Sequence, residues 1–181
     1  MEANYPDQDK KQLSDILLEF SSYKTVIQGC SVKTVKEYLL DLSTFARFIM
    51  AKRSGISPES EEFDKIDISK ADAEFFKSMR TPEIYEFLLY AGTVRKNMWA
   101  AKARKLSAIK ALYKFMTTKK NMQFENPAIN IESPKPKKTL PKFLTLDESI
   151  ALLEAIQNDK DSKTKLRDYA IVTLFLNCGM R

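Results

Sequence analysis

The sequence predicts an all-α protein, and three observations carry that prediction. Apolar residues recur every three to four positions along nearly the whole chain, and no stretch alternates as a half-buried strand would. Cap residues punctuate these runs: Ser31, Thr81-Pro82 and the Thr145/Glu148 pair mark starts, while Gly55, Gly92 and Gly179 mark stops. Four glycines among 181 residues, with 30% of the chain charged, suit a helix-rich soluble protein. The expected organisation is a helical bundle of four to five helices over residues 1–125, a basic Pro/Lys linker over 126–144, and two further helices in 145–181.

The first helix lies in "LSDILLEFSSYKTVI", where Leu13, Ile16, Leu17, Phe20 and Tyr23 form one stripe. The second runs from an N-cap at Ser31 to a stop at Gly55. Val32, Val35, Leu39, Leu42, Ala46 and Ile49 line its core side, and Lys33, Lys36 and Arg47 lie opposite. An acidic, turn-rich connection, "ISPESEEFDKID", leads to a short helix capped by Ser69. The next helix has Thr81 as cap, Pro82 at its first position and Gly92 at its end.

The helix "NMWAAKARKLSAIKALYKFMTTKK" is the most informative. Trp99, Leu106, Ile109, Leu112, Tyr113 and Met116 gather on a broad core side. Lys96, Ala100, Ala103, Arg104, Ser107, Lys110, Ala111, Lys114 and Thr118 form the other, a strip of small residues edged by cations; Lys102 and Lys105 project nearer the apolar side. Small side chains allow a backbone to come close to a surface while flanking cations reach phosphates. An ordinary solvated face, or a strip packed on another helix, would read the same way.

"ENPAINIESPKPKKTLPKFLT" follows, with four prolines that exclude a helix and favour a semi-rigid extended chain. Its Lys135, Lys137, Lys138 and Lys142 could track a phosphate backbone or simply solubilise a linker. Beyond it, Thr145 and Glu148 form a capping box, and "LRDYAIVTLFLNCG" makes a last helix, apolar on most sides and expected to be buried. Gly179 ends that helix and sets Arg181 in a new direction.

Charge is segregated along this plan. Residues 1–90 hold twelve Lys/Arg against sixteen Asp/Glu, residues 146–181 five against six, and residues 91–145 thirteen against two. From Phe87 through Phe124 there is no acidic residue. Such a run suits a polyanion, because each phosphate neutralised releases condensed counterions. Other classes are excluded or disfavoured. With no histidine, the usual general base and any Ser-His or Cys-His apparatus are absent. Cys30 and Cys178 stand as two lone thiols, and no metal site is expected. The start "MEANYPDQDKKQ" lacks a signal-peptide pattern and no run of eighteen apolar residues occurs, so a cytoplasmic location without membrane contact is expected.

Four pieces in order, "TVKEYLLDLSTFARFI", "ARKLSAIKALYKFM", "NPAINIESPKPKKTLPKFLTLDESIALLEAI" and "LRDYAIVTLFLNCGMR", resemble the first half of a Xer-type tyrosine recombinase over residues 12 to 181. The resemblance implies a helical core-binding domain of the SAM-like kind, a linker, and the opening of a catalytic domain, closing together around duplex DNA. It also implies that Arg181, in Gly179-Met180-Arg181, is the first of two catalytic arginines on the scissile phosphate. A planar guanidinium suits that task, since it stays protonated and holds two oxygens at fixed geometry. In this family a tyrosine forms a 3′-phosphotyrosyl intermediate without metal or nucleotide cofactor, and tetramers act on two DNA sites.

All seven tyrosines here precede Arg181, so none corresponds to that nucleophile. The chain 1–181 alone is expected to be inactive in strand exchange and monomeric, and its parent active in site-specific DNA recombination or integration. Two alternatives stand beside this reading: a non-catalytic DNA-binding module or regulator derived from a recombinase, and a helical protein-interaction scaffold. Chromosome dimer resolution and mobile-element integration are both open as the process served. Residues 55–80 are longer than in compact members of the family, and "TVRKNMWAAK" has alanines and a tryptophan where members often carry Ser or Thr.

Overall fold

The computed structural model describes residues 13–134 and 143–178, and the chain divides into two compact units, residues 1–136 and 137–181. Every regular element among the described residues is helical. Lys135, Lys137, Lys138, Lys142, the helix stop expected at Gly179 and Arg181 lie outside the described residues. No described helix is long and apolar enough to cross a membrane.

In the first unit, α1 (Asp15–Ser22) buries Ile16, Leu17 and Phe20. Its end widens into a π-type turn over Tyr23–Ile27, where Gln28 N donates to Tyr23 O at 3.1 Å. α2 (Val32–Arg53) begins at Ser31, whose Oγ accepts from Thr34 N at 3.2 Å. It stops where Gly55 takes φ +71°, a left-handed conformation that glycine adopts without steric cost. The predicted stripe from Val35 to Ile49 is buried, but Val32 is half exposed, because the first turn of α2 projects beyond its neighbours.

The acidic connection contains one helical turn, α3 (Glu61–Asp64), held by the buried Phe63. The single short helix expected next is instead two pieces, a 3₁₀ turn at Ile68–Lys70 and α4 (Ala73–Lys77). Neither is capped by Ser69: Asp67 accepts from Ser69 N at 3.0 Å and Asp72 from Phe75 N at 2.8 Å. α5 (Thr81–Thr93) takes Arg80 as its N-cap, with the Glu83 carboxylate accepting from Arg80 N at 2.8 Å. Thr81, the expected cap, is already helical, and the helix runs one residue past Gly92. α6 (Trp99–Thr118) then crosses the unit, packing on α2 and α5.

The core is aromatic where these helices meet. Phe45 and Phe87 lie 5.1 Å apart, Phe48 stacks on Tyr90 at 4.8 Å, and Phe20 meets Phe115 edge-on at 5.7 Å. Tyr113 is fully buried and donates its hydroxyl to Phe76 O at 3.0 Å. Burial pushes its phenol far above the usual tyrosine range, so it is a neutral donor at every physiological pH. After α6 the chain folds back: Ala128 and Ile131 enter the core, and Thr81 Oγ1 donates to Pro127 O at 2.8 Å. Residues 126–131 therefore pack as part of the first unit.

In the second unit, α7 (Leu146–Asn158) opens with the expected capping box. Thr145 Oγ1 accepts from Glu148 N at 3.2 Å, and Glu148 accepts from Thr145 N at 2.8 Å. α8 (Lys165–Cys178) packs on α7. Its apolar residues, expected to be buried, are instead open: Leu174 and Phe175 are about half exposed. Two helices form a single layer, and a second layer is what buries such a face.

A cluster of polar contacts joins the two longest helices. Asp41 of α2 is 1% exposed; its Oδ1 accepts from Lys105 Nζ at 2.7 Å and forms an ion pair with Arg104 Nη2 at 3.3 Å. Arg104 also donates through Nη1 to Glu37. The Asp41 carboxyl sits above the usual carboxylate range because loss of water outweighs the Lys105 hydrogen bond and the two nearby cations. Between 3.8 and this raised value the native state holds a proton that the unfolded chain has released, so stability falls as pH rises through that window, above which the carboxylate is ionised in both states. The neutral isostere in Asp41→Asn has no such dependence. Denaturant unfolding at about pH 3 and pH 7 is expected to show the variant gaining on the wild type at the higher pH; the wild type gaining instead would mean that the two cations outweigh the loss of water.

Candidate nucleic-acid interface

A helix packed on one side shows the other to solvent. On α6 the buried positions are Leu106, Ala108, Ile109, Leu112, Tyr113, Phe115 and Met116. Ala100, Ser107, Lys114 and Thr118 are exposed, and Ala103, Lys110 and Ala111 are half-buried beside them. The helical repeat sets Lys110, Ser107 and Lys114 on one face, as the spacing predicts. Trp99 differs from expectation. It is 41% exposed and shares this face rather than the core, because no other element covers the first turn of α6.

Of the remaining cations of α6, Lys105 and Arg104 were expected at the binding surface. The structure places Lys105 at the seam with α2, its side chain 11% exposed, and turns Arg104 toward Glu37 and Asp41. Their charge is committed to carboxylates that sequence spacing could not reveal, since the partners lie more than sixty positions away. Lys102 is half-buried, and its stem passes over α5 where Gly92 leaves room: a Cβ there would stand 3.4 Å from Lys102 Nζ and 3.5 Å from its Cδ. Lys96 is exposed in the turn before α6.

Lys33 and Lys36 are exposed on α2, the helix against which α6 packs most extensively. Arg47 is half-buried about three turns beyond Lys36, and its Nε is enclosed with no hydrogen-bond partner among the described residues. The Tyr90 phenol, raised above its usual range mainly by burial, feels Arg95 and Arg47 as neighbouring positive charges. Arg95, exposed and within the acid-free run, is a cation that helical projection missed because it lies in a turn.

Among the described residues, Lys33, Lys36, Arg47, Arg95, Lys96, Lys102, Lys110 and Lys114 make no ion pair with a carboxylate. The two acidic residues of α2 closest to them in sequence, Glu37 and Asp41, are matched by Arg104 and Lys105. What remains is a surface of uncompensated positive charge with small and hydroxyl side chains on α6 between the cations. It can hold a polyanion electrostatically. It supplies no nucleophile paired to a base and, among the described residues, no cluster of metal-ligating side chains.

No family model matches the sequence, and no solved structure matches the chain. Curated proteins do. Tyrosine recombinase XerC of Caldanaerobacter subterraneus subsp. tengcongensis is 39% identical over 166 residues, which cover 92% of this chain and 46% of that protein. Tyrosine recombinase XerC of Myxococcus xanthus is 29% identical over 170 residues, 93% of this chain and 48% of that protein. Tyrosine recombinase XerD of Chlorobaculum tepidum is 29% identical over 163 residues, 90% of this chain and 46% of that protein. The chain spans about half the length of the curated relatives it matches.

The turn that delivers α6 is strained at one residue. Lys96 takes φ +52°, in the left-handed region that L side chains avoid. Its neighbours hold it there: Asn97 N donates to Ala91 O at 2.9 Å, and Asn97 Nδ2 donates to Arg95 O at 3.0 Å. Keeping a lysine at a position made for glycine retains charge at the cost of stability. Lys96→Gly is expected to raise the unfolding free energy by about 0.5–1 kcal/mol in a urea titration, since relief of the strain exceeds the added freedom of the unfolded chain. A lower midpoint would mean that the Lys96 side chain itself supports the turn.

Proposed function

We propose that this chain, by sequence a relative of the Xer-type tyrosine recombinases, is the DNA-gripping part of a site-specific recombinase. The observation that carries the reading is the uncompensated cation surface of α6, built from a segment without one acidic residue between Phe87 and Phe124, with the unpaired Lys33 and Lys36 of α2 beside it. Phosphates of duplex DNA match that surface in sign. Ala100, Ala103 and Ser107 leave space for the backbone of α6 to come near, while Lys110 and Lys114 reach outward from the same face. Lys33 and Lys36 extend the grip along α2. The strained turn places Lys96 and Arg95 at its edge.

The linker lysines Lys135, Lys137, Lys138 and Lys142 continue the basic character toward the second unit. Arg181 takes the role of a clamp on the scissile phosphate, where negative charge builds on non-bridging oxygens during attack. The residues of 145–181 open the catalytic domain, and the whole recombinase works as a tetramer on two DNA sites.

Fluorescence anisotropy with a mixed-sequence duplex of about 30 base pairs tests the reading, because each phosphate contact adds about 0.9 to the magnitude of the log K against log salt slope. The wild type is expected to show a steep negative slope. Lys110→Ala/Lys114→Ala is expected to reduce its magnitude by roughly 2 with the helical circular dichroism unchanged. A slope near zero for the wild type would sink the proposal.

A further inference from the structure

The cation surface has an apolar centre of its own at the start of α6. Trp99 is 41% exposed, Met98 before it is 75% exposed, and Val94 in the same turn is 40% exposed. Three apolar side chains in one turn make a patch rather than a single exposed residue, and the patch includes Arg95 and Lys96 and opens the helix that carries Lys110 and Lys114 further along. Phosphates account for the lysines and can accept from the indole N–H, but they give nothing to the face of the indole ring or to a methionine. Resting on the DNA reading above, we propose that Trp99, with Met98 beside it, contacts base edges in the major groove and takes the C5-methyl group of thymine.

Charge complementarity selects the occupant. A surface with no acidic residue from Phe87 to Phe124 repels basic partners and draws a polyanion. On duplex DNA the thymine methyl is the apolar group displayed in the groove wide enough for a helix. Trp99 is the first residue of α6, and Ala103 follows one turn later on the same face. The side chain therefore leads the helix, ahead of the cations that would settle on the strands. Its role is to discriminate A·T from G·C at one or two positions, while the lysines hold any sequence.

The test compares two 30-base-pair duplexes, alternating dA-dT and alternating dA-dU, which differ by the methyl group alone. Anisotropy titrations of the wild-type chain are expected to show roughly fourfold tighter binding to the dA-dT duplex for each methyl buried. In Trp99→Ala the ratio is expected to fall to the baseline set by duplex flexibility, with the salt slope unchanged. The exposed position outside the core leaves the fold intact, which circular dichroism checks. Equal binding of the wild type to both duplexes, or a ratio that survives in Trp99→Ala, overturns the methyl contact. Loss of self-association in Trp99→Ala, seen by sedimentation without any change in the ratio, overturns it in favour of a protein interface. Failure to bind either duplex is a separate result, and overturns the DNA reading itself.

Discussion

A carboxylate with almost no access to water governs how the first unit is assembled. Asp41 cannot be left alone in the interior, where an unpartnered charge costs several kcal/mol. Lys105 and Arg104 answer it from α6, and in doing so they fix the register of α6 along α2. The aromatic contacts between α2 and α5 have no comparable directional demand, since apolar surfaces tolerate sliding at small cost. The same contact also sorts the positive charge of α6. Two cations are spent on the scaffold, and Lys102, Lys110 and Lys114 are left without a carboxylate partner among the described residues.

That division explains which parts of the molecule were legible in the sequence. Ser31, Gly55 and the Thr145/Glu148 box act within a few residues of themselves, so local spacing was enough to place them. The buried stripe of α2 from Val35 to Ile49 and the core of α6 from Leu106 to Met116 follow from the helical repeat. The caps of α4 were misread because Asp67, Ser69 and Asp72 crowd one short stretch, and the carboxylates prevail as acceptors over the hydroxyl.

The candidate surface was harder to read than the fold, because it depends on contacts between distant segments. Lys105 and Arg104 look like free cations until Asp41 and Glu37 are brought to them. Trp99 looks like core by composition, but a first-turn residue is buried only if another element reaches that end of the helix, and periodicity does not say whether one does. Likewise, the prolines after Asn126 suggested that the linker begins there. Ile131 and Ala128 fill the core instead, and a hydrogen bond from Thr81 to Pro127 O secures the turn that carries them. Segregation of charge survived these corrections because it is a property of a whole segment rather than of any one side chain.

Gly92 shows how far the scaffold and the charge pattern are joined. It lies inside α5, where its backbone asks for nothing unusual, and alanine would be the better helix former. The stem of Lys102, a residue of α6, lies beside it, and a methyl group added at Gly92 would rest on that stem at ordinary contact distance, 3.4 Å from Nζ and 3.5 Å from Cδ. A substitution on one helix therefore changes what a positive charge on another touches, and the electrostatic map of this surface has neighbours that carry no charge.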